Sequence, residues 1–340
     1  MARIARSELV DPSEVAAFHC IHRCVRRSYL CGEDPHTGRN YEHRKEWLER
    51  RFEFLAGVFG IDVEGFSILS NHFHVVLRSR PDLVANWTDT EVARRWLQLC
   101  PIRKTQDGAP EPPTERELDT IRFVPERLEV IRLRLSDISW WMRMVAEPVA
   151  RWANKEDEVS GRFWEGRFKS VKLCDDAALL ACLVYVDLNP IRAKIAPSPE
   201  SSDFTSVQRR IEALLGEDTK DAWLAPIPID ETRTGPLPAS TGRRASDKGC
   251  LPMSVQDYLE LVDWTGRQVR ADKPGAIPAQ LAPILERLGI AQRHWLPVVQ
   301  NFGRHFHRVA GAPQSVGRVR PRLGRQRAFH PGKAELLGAT

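Results

Sequence analysis

Residues 61–79, IDVEGFSILSNHFHVVLRS, restrict the possible folds more than any other stretch of the chain. Residues 61–70 and 72–79 each read as a strand, with only Asn71 and its neighbours between them. Strands joined so tightly pair antiparallel, because a parallel pair needs a crossover of a dozen residues or more. The second strand carries His72 and His74 on either side of Phe73. Side chains alternate along a strand. Both imidazoles therefore project from one face of the sheet, and Phe73 from the opposite, core-facing side.

The remaining pattern supplies partners for this hairpin. Residues 17–25, AFHCIHRCV, alternate as a strand with Phe18, Cys20, His22 and Cys24 on one face and His19, Ile21, Arg23 and Val25 on the other. Apolar residues at 3–4 spacing predict a helix over 41–59, ended by Gly60. A further helix is expected near 89–100 and a long one over 127–155, with Pro148 a point where it can kink. Residues 161–173, GRFWEGRFKSVKL, alternate as a fourth strand. Asp175 or Asp176 can cap a helix over 176–188. The order strand, helix, strand, strand, helices, strand, helix implies an α+β fold: a split β-α-β, ferredoxin-like antiparallel sheet with helices on one face.

The expected organisation is a domain over 15–215, with a Pro-rich, exposed insertion at 101–118. A linker follows over 216–252, then a small helical region at 253–311 and a basic, disordered tail at 312–340. Of 340 residues, 42% are hydrophobic, enough for a substantial core. The net charge of +5 suits an acidic partner such as nucleic acid without requiring one. No apolar run is long enough to span a membrane, and the N-terminus lacks the layout of a secretory signal. The seven scattered cysteines fit reduced thiols in a cytoplasm.

Two imidazoles on one strand face are half of a divalent-metal site. The same pair serves equally as surface or hydrogen-bonded histidines, so the spacing alone does not decide. A zinc site from His19, Cys20, His22 and Cys24 is disfavoured, because alternation divides them between two faces. Further along, YVDLNPIRAKI places Tyr185 and Asn189 four apart, on one helix face. An amide oxygen is a hard ligand suited to Mg²⁺ or Mn²⁺, and a phenol can attack a phosphodiester and hold the phosphate covalently. The bland alternatives are a tyrosine at the rim of the core and an Asn-Pro helix end. Tyr29, Tyr41, Tyr185 and Tyr258 are the four tyrosines of the chain. Of these, Tyr185 has a polar partner one turn away.

SNHFHVVL, GRFWEGRFKSVKL and YVDLNPIRAKI, in this order, resemble the HUH single-tyrosine transposases, and within them the REP-associated tyrosine transposase (IS200-like) group. The resemblance spans about residues 15–215. It implies a ferredoxin-like nuclease domain that cuts single-stranded or hairpin DNA through a 5′-phosphotyrosine. It casts His72 and His74 as metal ligands, Asn189 as a third polar ligand and Tyr185 as nucleophile, with Mg²⁺ or Mn²⁺ as cofactor. Cutting unpaired DNA calls for a basic groove with aromatic rings. Arg23, Arg26, Arg27, Arg162, Trp164, Arg167, Lys169, Arg192 and Lys194 are the expected contacts, and the tail arginines (Arg318, Arg320, Arg322, Arg325, Arg327) could grip duplex phosphates. Glu165 is a possible base, and Asp187 a competing ligand on another helix face. A monomer or homodimer is expected. A domesticated, non-cutting hairpin-binding protein and a phosphohydrolase without a covalent step are the alternatives.

Overall fold

In the computed structural model, residues 11–25, 30–34, 38–106, 109–216, 220–230, 243–269, 285–286, 288, 290–319 and 334–338 are described. The expected hairpin forms as read. Strand β2 (Ile61–Ile68) turns directly into β3 (His72–Ser79), and the two pair antiparallel. Strand β1 (Ala16–Arg23) joins the other edge of β3, also antiparallel, with Ile21 opposite His74 and Arg23 opposite His72. Strand β4 (Lys169–Leu173) pairs antiparallel with β1, and a two-residue β5 (Val309–Ala310) adds parallel to β4. The sheet order is β2-β3-β1-β4-β5.

One face of the sheet carries Phe18, Cys20, Phe66, Phe73 and Val75. It packs on α1 (His43–Val58) and α6 (Ile138–Glu156) through Leu48, Phe52, Leu55, Trp141 and Val145. Helices α2 (Pro81–Ala85), α3 (Asp89–Leu99), α4 (Glu115–Arg122) and α5 (Pro125–Arg134) follow β3 in chain order. The long helix expected over 127–155 is thus two helices. The Asp137 side chain accepts from the Ser139 amide and starts α6 afresh. The insertion at 101–118 is not wholly irregular, because a Thr114–Glu117 capping box starts α4 inside it.

Contrary to expectation, helices cover both faces of the sheet. Helix α7 (Asp176–Asp187) lies over the second face, starting at Asp175, whose carboxylate accepts from the Ala178 amide. Every residue of 177–188 is buried except Tyr185, which is half-buried. A helix apolar all round needs cover on all sides. The sheet supplies one side through Ala17, Val76, Val171 and Leu173. The other side comes from α10 (Val255–Val269) and α11 (Gln292–His305), through Tyr258, Leu261, Trp295, Val298 and Phe302. The short α8 (Asn189–Arg192) and then α9 (Ser206–Leu214) complete this side.

The C-terminal helices therefore share a hydrophobic core with α7 instead of forming a separate core over 253–311. Residues of the expected linker pack as well: Trp223, Leu224, Ile227, Cys250 and Leu251 are buried. Within the expected disordered tail, α12 (Pro313–Val319) is helical and Leu337 is buried. No disulfide links the cysteines among the described residues.

Candidate active site

The β1–β3 register and the second-face position of α7 assemble the site. His72 and His74 leave the sheet on the α7 side, with ring centres 4.9 Å apart. Tyr185 leaves α7 toward them, its ring 5.7 Å from His74 and set edge-on. The structure thus brings the two histidines and the tyrosine together. They line one cavity of about 740 Å³, whose wall also includes Arg23, Glu165, Arg167, Lys169, Arg192, Gln300, Asn301, Gly303 and Arg304. Five cations face one carboxylate there, a field that favours an anionic ligand.

A third histidine, His19, belongs to this group and was not assigned to the site from sequence. It lies on β1, on the same sheet face. Its Nε2 is 2.9 Å from His74 Nδ1, the two rings are stacked, and Tyr185 is 5.9 Å away. Alternation had placed His19 on the face opposite Cys20 and Cys24, and the structure agrees, so these residues form no zinc site. Among the described residues no group of three or more His, Cys, Asp or Glu side chains is placed to hold a metal.

The hydrogen bonds set the state of the imidazoles. His72 Nδ1 is 2.5 Å from the Asn71 side-chain oxygen. An amide oxygen accepts, so Nδ1 carries the proton and Nε2 holds a lone pair. His74 Nδ1 is occupied by His19, and its Nε2 is buried without a hydrogen-bond partner. Burial, assisted by the nearby Arg23 charge, lowers His72 to about 4. Burial, with the His72 charge second, lowers His19 to about 3. His74 falls well below the usual imidazole value, chiefly through burial. A neutral ring with Nδ1 donating and Nε2 open is the usual condition of a metal-ligating histidine; His72 meets it, and His74 meets it in the tautomer whose Nδ1 donates to His19.

The other expected site residues divide. Arg23, Arg167, Lys169 and Arg192 line the cavity. Asn189 is not among its lining residues. Helix α7 ends at Asp187, Asn189 starts the separate α8, and the Asn189 side-chain nitrogen is buried without a partner. Trp164 is corrected from groove to core. The residue is 8% exposed, its Nε1 donates to the Ala146 carbonyl and its ring stacks on His22 at 4.2 Å. The cause is local: residues 161–168 are not a regular strand, and β4 begins only at Lys169. Arg162 and Lys194 are exposed and do not line the cavity. Asp187 is no ligand. It is buried and accepts from the Ser206 hydroxyl, the Val207 amide and the Tyr258 hydroxyl. Arg26, Arg27, Arg320, Arg322, Arg325 and Arg327 lie outside the described residues.

Helix α11 contributes an unexpected wall. Phe302 packs on the Tyr185 ring at 5.6 Å, and Gly303 passes so close that a Cβ there would lie 3.0 Å from the phenol oxygen. Helical geometry is lost at Asn301, within this wall.

No protein-family model matches the chain, and no curated protein matches it. A solved structure of a REP-associated tyrosine transposase bound to a REP hairpin is similar to it at 11% identity, over 63% of this chain and 88% of that one, with a TM-score of 0.37. No helix among the described residues is long and apolar enough to cross a membrane.

Proposed function

We propose that this chain is a metal-dependent, HUH-type endonuclease and strand transferase that acts on single-stranded or hairpin DNA, with Tyr185 as nucleophile. The observation that carries the reading is the half-buried Tyr185 phenol set against the His72–His74–His19 group in a cation-rich cavity. The order β4-β1-β3-β2 within the sheet supports the ferredoxin-like part of the reading.

His72 and His74 would hold the cation through Nε2, and two imidazole donors suit Mn²⁺ better than Mg²⁺. When bound, it would supply Lewis-acid neutralisation of charge on the phosphate. His19 and Asn71 fix the ring orientations by occupying the two Nδ1 atoms. Arg23, Arg167 and Lys169 would attract the strand and orient its phosphates. Tyr185 Oη attacks phosphorus. The Oη–P bond forms, the P–O3′ bond breaks, and the phenol proton ends on the leaving 3′ oxygen. The product is a 5′-phosphotyrosine and a free 3′-hydroxyl, and attack by another 3′-hydroxyl reverses the step and joins strands.

The test is incubation with hairpin-bearing single-stranded oligonucleotides and Mn²⁺ or Mg²⁺, followed by denaturing electrophoresis. An adduct that requires the cation and is absent from Tyr185→Phe supports the reading. An adduct that persists in Tyr185→Phe assigns the nucleophile elsewhere. One observation favours a second reading, a protein that holds hairpins without cutting them: Phe302 lies on the phenol ring. Tight hairpin binding with no adduct under any cation would favour that alternative.

A further inference from the structure

Arg192 sits in α8, immediately after the tyrosine helix. Its guanidinium carbon is 4.7 Å from the centre of the Tyr185 ring. One terminal nitrogen, Nη2, donates to the Gln300 carbonyl at 2.6 Å and so ties the side chain to α11. The other, Nη1, is buried and has no hydrogen-bond partner. Leaving a desolvated cationic donor unpaired is costly, and proteins rarely tolerate it without a ligand to receive it. The side chain lines the cavity that holds Tyr185, His72 and His74.

We propose that Arg192 is a catalytic residue whose Nη1 donates to a non-bridging oxygen of the phosphodiester that Tyr185 attacks. This rests on the preceding reading of Tyr185 as nucleophile. Of the five cations that line the cavity, Arg192 is the one with both ring contact to Tyr185 and a buried, unpartnered nitrogen. The planar guanidinium is held at two points, by the phenol ring and by the Gln300 carbonyl. These two anchors limit how far the side chain must turn to bring Nη1, which is covered here, onto an arriving phosphate. As Oη–P forms and P–O3′ breaks, negative charge grows on the equatorial oxygens and the charge-assisted bond from Nη1 strengthens. Arg192 keeps its protons throughout, and the phenol proton still ends on the leaving oxygen.

The experiment measures single-turnover adduct formation at saturating hairpin oligonucleotide with Mn²⁺, beside hairpin affinity by fluorescence anisotropy and melting temperature. Arg192→Ala should slow adduct formation by about 100-fold, the usual size of one lost transition-state donor, with affinity changed far less. Arg192→Lys should be intermediate. Free guanidinium ion should restore part of the rate in Arg192→Ala and none in Tyr185→Phe, a response that a purely structural arginine would not give. Adduct formation at the wild-type rate in Arg192→Ala overturns this inference alone. So does a lost rate that guanidinium does not restore and that melting temperature or affinity tracks. No adduct from the wild-type chain overturns the nucleophile reading, and the role of Arg192 with it.

Discussion

Replacing Gly303 by alanine tests whether the phenol position seen here is the reacting one. The added Cβ would lie 3.0 Å from Tyr185 Oη and 3.6 Å from Cζ, roughly 0.5 Å inside an ordinary contact. The ring cannot slide aside freely. Phe302 lies 5.6 Å away, His74 5.7 Å and His19 5.9 Å, and the Arg192 guanidinium is 4.7 Å from the ring centre. Two terms oppose each other in stability. Removing a glycine from a helix gains about 1 kcal/mol, and overpacking one methyl costs about 1–3 kcal/mol. Stability should therefore fall by about 0–2 kcal/mol. Activity has no such compensation. If a misplacement of about 1 Å costs on the order of 100-fold, a shift of half that size costs about tenfold. Gly303→Ala should thus form the covalent adduct about ten times more slowly, with hairpin affinity and melting temperature close to wild type. Adduct formation at the full rate in a natively folded variant would refute the reasoning. It would mean that α11 does not touch the phenol when the reaction occurs, or that another residue attacks.

Burial raises the Glu64 carboxyl from 4.5 to about 7, although Arg78 lies 3.2 Å away. Between these values the folded chain keeps a proton that the unfolded chain has lost, so stability should fall as pH rises from about 4.5 to 7. Glu64→Gln should flatten this trend and melt higher than wild type at pH 8, by up to about 3 kcal/mol; an unchanged pH profile of melting would contradict it. Trp164→Ala should cost about 3–5 kcal/mol in urea unfolding while the folded fraction binds hairpin DNA as before, and weakened binding at unchanged stability would return Trp164 to the groove. Tyr258→Phe removes the hydroxyl that donates to Asp187 and should cost about 2 kcal/mol, which denaturant titration would detect.

The parity of His72 and His74 and the outward position of Tyr185 were readable because strand and helix periods are local properties. His19 was not, because its place beside His74 depends on the β1–β3 register, in which Ile21 faces His74. Register is a long-range pairing that alternation alone does not specify. Trp164 was misplaced because residues 161–168 alternate in sequence yet only bridge the end of β1 at Cys24. The covering of α7 by the C-terminal helices did leave a trace. Residues 176–188, DAALLACLVYVDL, offer no polar face to solvent. Such a helix demands a second layer, and the helical patterns after residue 253 were available to supply it. Asp187 looked like a rival ligand, but its buried bonds to Ser206 and Tyr258 join distant segments that no motif connects.

The shared packing of α7 with Leu261, Trp295, Val298 and Phe302 bears on how such a chain can be shortened or can diverge. A version cut after residue 215 would present bare leucine and valine to water along the helix that bears Tyr185. It would self-associate before it could be asked to cut anything. The last third of the sequence and the histidine-bearing hairpin must therefore be inherited together, since mutations in either are read out through the same helix.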